Sequence, residues 1–356
     1  MNEEWLNRMA LAWELRYRVK EAHKWLDEYG SATEVIVNHP NLLSIEARQR
    51  AEDEAKFIQQ HRIKYTFFRD SDYPYRLAQC VDAPLVLYSK GNVDVNPKHV
   101  VSIVGTRMPS EHSKDWCRRL VLDLAEKVPE LTIISGLAYG IDVVAHKAAI
   151  EAGIPTIIIP AHGLDRIYPS VHRSVAVQSL EKGGILTEYI HGTEPERHHF
   201  VARNRIIAGM ADAVVIVESK ARGGSLITAQ MAQDYNRDVF ALPGRYSDVT
   251  AEGCNTLIKQ HKAQLITAAD DLIREMQWDI SADVQHIRTP EIVFDLNNTQ
   301  QAIINLLRRT EENWHVNQLV IETQLPYHEV AAELMMMELN GIVKSLPGGM
   351  WRIVEL

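Results

Sequence analysis

Cysteine is scarce in this chain of 356 residues: Cys80, Cys117 and Cys254 are odd in number and far apart. No C-x-x-C pair occurs, so neither a disulfide framework nor a zinc site is indicated, and a reducing cytoplasm fits. No apolar run approaches the roughly 18 residues that a membrane span needs. The opening residues, Met1-Asn-Glu-Glu-Trp5, lack the apolar stretch of a secretion signal. The dipeptide Gly-Lys is missing, and with it any G-x-x-x-x-G-K-[ST] loop, which excludes a P-loop ATPase. There is no low-complexity segment and no internal repeat. Positive charge is in deficit: 38 Lys and Arg face 47 Asp and Glu, for a net charge of −9. That balance argues mildly against nucleic acid as a ligand. It does not decide the matter, because affinity follows the field at the binding face and not the total.

The rest of the composition is that of ordinary globular protein, with 46% hydrophobic and 24% charged residues. The length implies two or three domains. Against the acidic background one run stands out. Arg197-His-His-Phe200-Val-Ala-Arg203-Asn-Arg205 holds three arginines, two histidines, one aromatic and no acid. Shortly after it comes Arg222-Gly-Gly-Ser225. Such a run is suited to a nucleic-acid backbone.

Residues 1–66 read as a small helical domain of the SAM or helix-hairpin-helix kind. Trp5, Met9, Trp13 and Tyr17 recur at i+4 as an apolar stripe, though no glycine-rich hairpin is present. Its expected role is docking. Residues 67–270 follow, opening on an extended connection through Pro84-Leu-Val-Leu-Tyr88. Short Ile/Val runs at 100–104, 132–134, 156–159, 184–187, 213–217 and 239–241 alternate with helical segments at 111–127, 141–152, 171–181, 201–210 and 225–235. This predicts an α/β fold with a doubly wound, mostly parallel sheet of extended Rossmann type, ligands binding at the carboxyl ends of the strands. Residues 271–296 read as a linker. In 297–356, helices at 301–309, 316–323 and 328–339, the last capped by Gly341, precede a hairpin around Pro347-Gly348-Gly349. That order predicts a winged helix. Its presumed recognition helix carries three glutamates and no Lys or Arg, a poor face for DNA, so a protein contact is expected there.

The polar signatures fall in the loops after strands. Gly105-Thr-Arg107 ends the first strand. A dinucleotide fingerprint would have a second glycine where Arg107 stands; the side chain blocks that approach and offers a guanidinium fork for a phosphate, or pairs with a local acid. Ser135-Gly136-Leu-Ala-Tyr-Gly140-Ile-Asp142 and Gly223-Gly224-Ser225 each turn into a helix whose first N–H groups can bind an anion, or simply pack as tight turns. Phe200 is either a stacking platform for a base or a core residue. Arg203 and Arg205, at i and i+2, cannot share one helix face, so one can point to a groove while the other braces the fold. Asp142 and His146, at i and i+4, are read as a capping acid and a packed imidazole rather than an acid–base pair. Asp165, Tyr168 and His172 form a polar loop after the third strand. No catalytic triad, metal-ligand cluster or cofactor motif emerges, and His198-His199 alone completes no metal site.

Taken in order, Gly105-Thr-Arg107, Ser135–Asp142, Asp165-Arg-Ile-Tyr168-Pro169, Phe200-Val-Ala-Arg203-Asn-Arg205-Ile-Ile-Ala-Gly209, Gly223–Ala229, Pro243-Gly244 and Glu252-Gly-Cys-Asn255 resemble the DNA-processing protein A family (DprA, also called Smf). The resemblance covers about residues 67–266 and, more loosely, both flanking domains. It implies a non-enzymatic cytoplasmic protein that binds single-stranded DNA, protects DNA taken up in natural transformation, and loads the RecA recombinase. It also implies a homodimer through the Rossmann domain and no membrane partner. The DNA positions carried over are Arg107, Phe200, Arg203, Arg205 and Ser225, with Arg197 at a basic groove position often filled by Lys. Gly224, Ser135 and Gly136 complete the expected set, with no catalytic residue, metal or cofactor. Three departures stand out: Ala161-His162 replaces a glycine-bearing turn, Val201 replaces Pro, and Gly223 replaces Ser. None removes a charge.

Two other readings remain open on sequence. One is a nucleotide hydrolase or phosphoribohydrolase using Asp142 or Glu188 as base. The other is an adaptor whose sheet is only a scaffold; it leaves the 197–205 run without a purpose.

Overall fold

Short strands rich in Ile and Val, separated by helices of 7 to 17 residues, can bury both sheet faces only in a layered sandwich. The computed structural model of the chain describes residues 3–278, 296–308, 313–340, 342–346 and 348–353. They fall into two compact units, Met1–Asp279 and Ile280–Leu356.

The first unit is built on nine strands: β1 (Lys64–Phe67), β2 (Val86–Gly91), β3 (His99–Gly105), β4 (Leu131–Ser135), β5 (Thr156–Ile158), β6 (Gly184–Thr187), β7 (Ala213–Val217), β8 (Asp238–Ala241) and β9 (Gln264–Leu265). Their order across the sheet is β1-β2-β6-β5-β4-β3-β7-β8-β9. The pairs from β6 to β9 are parallel; β1 and β2 are antiparallel additions at one edge. The chain runs outward from β3 to β6, then returns to lay β7 on the other side of β3. That reversal opens a crevice beyond the carboxyl ends of β3 and β7, where doubly wound sheets bind their ligands.

Alternation along each strand divides the core. Val101, Ile103, Ile133 and Val215 pack under the helices Glu111–Lys127 and Ile141–Ala152, while Val100, Val104, Ile134, Val214 and Ile216 pack on the other face with Ile206, Ile207 and Ala229. The N-terminal helices form a third cluster. Leu11, Leu15, Leu26 and Ile58 close on Phe67, Val86 and Tyr88 of the antiparallel edge.

Three local differences from the sequence reading have simple causes. The sheet begins at Lys64, inside the stretch read as helical, because β1 needs only the pairing of Lys64–Phe67 with β2. The helix Ala269–Glu275 occupies the front of the stretch read as linker; Ala269, Leu272 and Ile273 bury against the sheet, an anchor too short to show a period. The helix expected from 201 starts at Arg197, directly after Glu194-Pro195-Glu196, so the whole basic run is helical.

The second unit carries the helices Asn298–Leu307, Val316–Thr323 and Tyr327–Leu339 and three strands, β10 (Trp314–His315), β11 (Val343–Leu346) and β12 (Met350–Ile353), ordered β10-β12-β11. Ile303, Leu319, Val330, Leu334 and Val343 form its core. The Gly341 cap and Pro347 lie outside the described residues. On the last helix, Glu333 accepts from Asn297 and Gln300, and Glu338 accepts from the Ser345 amide and hydroxyl, so both carboxylates are used within the unit.

Candidate nucleic-acid interface

The loop after β3 is held down by the strand beside it. The Thr106 amide donates to the Glu218 carbonyl (2.9 Å), and the Ile141 amide donates back to the Thr106 carbonyl (3.2 Å). Gly140, at φ +81°, lies so close to Thr106 and Arg107 that a side chain there would strike their backbone. The loops after β3 and β4 therefore form one rigid ledge, and Arg107 projects from it into solvent.

Phe200 faces this ledge from the helix Arg197–Gly209. Its half-buried ring lies 5.1 Å from the Arg107 guanidinium and 5.9 Å from that of Arg203, with the exposed Tyr168 ring edge-on at 6.0 Å. An aromatic with guanidinium groups against it is an arrangement on which a nucleobase can stack while phosphates meet the arginines. Exposed Tyr139, set against His172 at 5.1 Å, extends the aromatic surface along the second loop.

The structure separates the expected residues into surface groups and braces. Arg107 and Arg197 are exposed. Arg203 is only 3% exposed; it donates to the Ile159 carbonyl and lies against Gly136, where a Cβ would collide with its guanidinium. Burial pulls its pKa down to about 10, with Asp142 opposing, so the group stays charged at neutral pH. Arg205 points elsewhere. Its guanidinium is buried against the Asp82 carbonyl and the Glu188 carboxylate, so it braces the fold as Arg203 does. Ser135 is fully buried and donates its hydroxyl to the Ile103 carbonyl at 2.6 Å. Arg203, Arg205 and Ser135 were all placed in the groove by sequence; their side chains lie inside the fold.

The two helix-start loops also differ from expectation. In the 135–142 loop, Asp142 accepts from the Ala138 amide (3.4 Å) and from the amide of Gly136, so an internal carboxylate already fills the anion position. Burial raises the Asp142 pKa, with Arg203 and Arg107 opposing. In the 223–227 loop, the amides of Gly223, Leu226 and Ile227 donate to the carbonyls of Lys220, Gly223 and Gly224. The amides of Gly224 and Ser225 have no partner among the described residues. The Ser225 hydroxyl is buried and donates to Ser219 Oγ at 2.9 Å, and nothing lies within 4 Å of the Cβ position of Gly224. Exposed Lys220 and Arg222 add charge to this same loop at the crevice. Lys220 was missed by sequence reading, because an isolated lysine after a strand gives no signal until β7 is known to lie beside β3.

The groups suited to acid–base chemistry each have a partner inside the fold, although Glu188 Oε1 is buried without one among the described residues. His146 is fully buried, bonded through Nδ1 to Thr156 Oγ1 (2.7 Å), and burial depresses its pKa to about 3. Glu188 is held by Arg205. Among the described residues, no three His, Cys, Asp or Glu side chains gather as a metal site, and no helix is long and apolar enough to cross a membrane.

Residues 64–277 match the family described as DNA recombination-mediator protein A, and residues 289–349 match the DprA winged helix domain. The chain is 34% identical to Protein Smf of Synechocystis sp. over 329 residues, which is 82% of this chain and 81% of that protein. It is 40% identical to the DNA processing protein DprA of Streptococcus pneumoniae over 209 residues, 59% and 73% of the two chains. Among solved structures, S. pneumoniae DprA superposes with a TM-score of 0.58 at 35% identity, covering 65% of this chain and 81% of that one. DNA processing protein A from Helicobacter pylori, described for its single-stranded DNA binding mode, superposes with a TM-score of 0.54 at 31% identity, covering 61% and 97%.

Proposed function

Since the chain belongs to the DNA recombination-mediator protein A family, we propose that it is a non-enzymatic, cytoplasmic protein that binds single-stranded DNA along the crevice beyond β3 and β7. There it shields incoming strands during recombination or transformation and loads the RecA recombinase onto them, acting as a homodimer. The observation that carries this reading is the half-buried Phe200 ring with the Arg107 guanidinium 5.1 Å from its centroid. Bases stack on Phe200. Phosphates meet Arg107, Arg197 and the cations and open amides of the 220–225 loop. Arg203 and Gly136 hold the platform from beneath. These groups read backbone and ring face, so sequence preference is weak. The engagement of Asp142, His146 and Glu188 within the fold favours binding over hydrolysis.

Fluorescence anisotropy of labelled oligo-dT across a salt series tests this. With about four phosphates neutralised, log K is expected to fall against log salt with a slope of about −3. Arg107→Ala/Phe200→Ala should remove most of the affinity. A flat salt response, or full binding by the double variant, would refute the reading. Recombinase loading is then checked by adding RecA to pre-coated strands with and without this protein.

A further inference from the structure

On another face of the helix Arg197–Gly209, the N-terminal helices and the sheet edge enclose a cavity of about 780 Å3. His198, Ala202 and Arg205 share that face at helical spacing, whereas Phe200 and Arg203 turn toward the ledge. The volume lies within the range of sites for small organic ligands. Its walls include the rings of Trp13, Tyr17, Tyr189 and His198.

The charges around it are unevenly satisfied. Every acidic side chain that lines the cavity already has a partner. Glu188 is held by Arg205 and Glu194 by Arg166, while Asp82 accepts from the Tyr235 hydroxyl at 2.6 Å. Glu21 pairs with Arg18 at 3.3 Å and Glu196 with His198 at 3.4 Å. The cations at the mouth are different. The Arg16 guanidinium lies 4.1 Å from the Trp13 ring centroid and 4.8 Å from that of Tyr17, and its hydrogen bond goes to the Trp13 carbonyl. No carboxylate is within ion-pair distance of it among the described residues. The Arg50 guanidinium lies 5.3 Å from the same Trp13 ring, and Glu46 reaches it only at 3.8 Å. Both guanidinium groups lie near one indole, and an anion at the mouth would offset the positive charge they place there. Guanidinium forks held in place by a ring suit a phosphate, and the aromatic walls behind them suit a planar base.

We propose that this cavity is a second nucleotide site, distinct from the ledge, which takes the phosphate of one nucleotide unit on Arg16 and Arg50 and its base between Tyr17, Tyr189 and His198. The ligand chemistry is the same for a free mononucleotide and for a strand that has turned around the start of the helix at Arg197. The free-nucleotide form stands without the ledge reading; the strand form rests on it.

The test uses the full chain, with calorimetric titration of dAMP and anisotropy of short and long oligo-dT. Wild type is compared with Arg16→Ala/Arg50→Ala and with Phe200→Ala, after thermal melts confirm that each is folded. A free-nucleotide site is supported if dAMP binds once per chain, the arginine double variant loses that affinity by about tenfold or more, and Phe200→Ala keeps it. A strand site is supported if dAMP does not bind while the double variant weakens long oligo-dT by a similar factor and leaves short oligo-dT unchanged. The proposal is overturned if the double variant matches wild type with both probes, or if dAMP binding disappears with Phe200→Ala instead. Loss of DNA binding in Phe200→Ala alone bears on the ledge and leaves this cavity untouched, which keeps the two failures apart.

Discussion

Side chains three residues apart can differ completely in duty, and Phe200 and Arg203 show how. Phe200 presents part of its ring to solvent, while Arg203 lies beneath with its guanidinium on a carbonyl. Phe200→Ala is expected to cost about 1–3 kcal/mol of single-strand affinity, the value of one stacked base, with little change in the melting temperature; anisotropy and calorimetry check the two halves. Gly136→Ala removes no charge, yet its added methyl meets the Arg203 guanidinium. It should lower both stability and DNA affinity, and a variant that binds DNA as well as wild type would show that Arg203 does not set the platform. His146 supplies a pH test. Its folded pKa of about 3 against an ordinary 6.5 means that the unfolded chain takes up the proton first as pH falls. Its contribution is whole above pH 6.5 and is lost as pH drops toward 3, at about 1.4 kcal/mol per unit. Urea melts between neutral pH and roughly pH 4 should therefore show a steeper acid loss in wild type than in His146→Gln, by about that slope.

At the scale of elements, the helix Arg197–Gly209 serves two surfaces and two braces, which explains what was legible in the sequence. The sequence placed the helix from 201 onward, and the i, i+2 spacing of Arg203 and Arg205 showed that the two could not share one face. That both are buried was not legible, because it depends on the Ile159 carbonyl meeting Arg203 and on Glu188, in the segment after β6, meeting Arg205 across the fold. Removing Arg205 strands that carboxylate in a buried place. Arg205→Ala is expected to destabilise the fold by about 3–5 kcal/mol, while preserving the salt slope of DNA binding below its melting point; a large affinity loss with unchanged stability would instead place Arg205 at the DNA. The central strands were legible from their Ile/Val runs. β1, β2 and β9 were not, since strands of 2 to 6 residues at or next to an edge gain their identity from a neighbour. The 135–142 loop looked open for the same reason: nothing in a linear pattern shows that Asp142 folds back onto the amides before it.

Across the whole molecule, net charge and function point in different directions, and the resolution is spatial. The excess of acid is spread over the chain, whereas the exposed cations Arg107, Arg197, Lys220 and Arg222 come from three segments that only the sheet topology gathers at one edge or beside it. The winged-helix unit adds no cation on its last helix, and Glu333 and Glu338 are spent on its own contacts. A chain ending at 278 should therefore keep its single-strand affinity within a few-fold, measured against the same oligo-dT, and a collapse of binding would assign the second unit a direct share. Where related folds have glycine and a closed cup for a diffusible cofactor, this chain has Arg107 on an uncovered rim. A cup must open before its guest can leave. A rim lets a polymer lie across it, extend past either end, and be peeled off from one side by whatever takes hold of the free length.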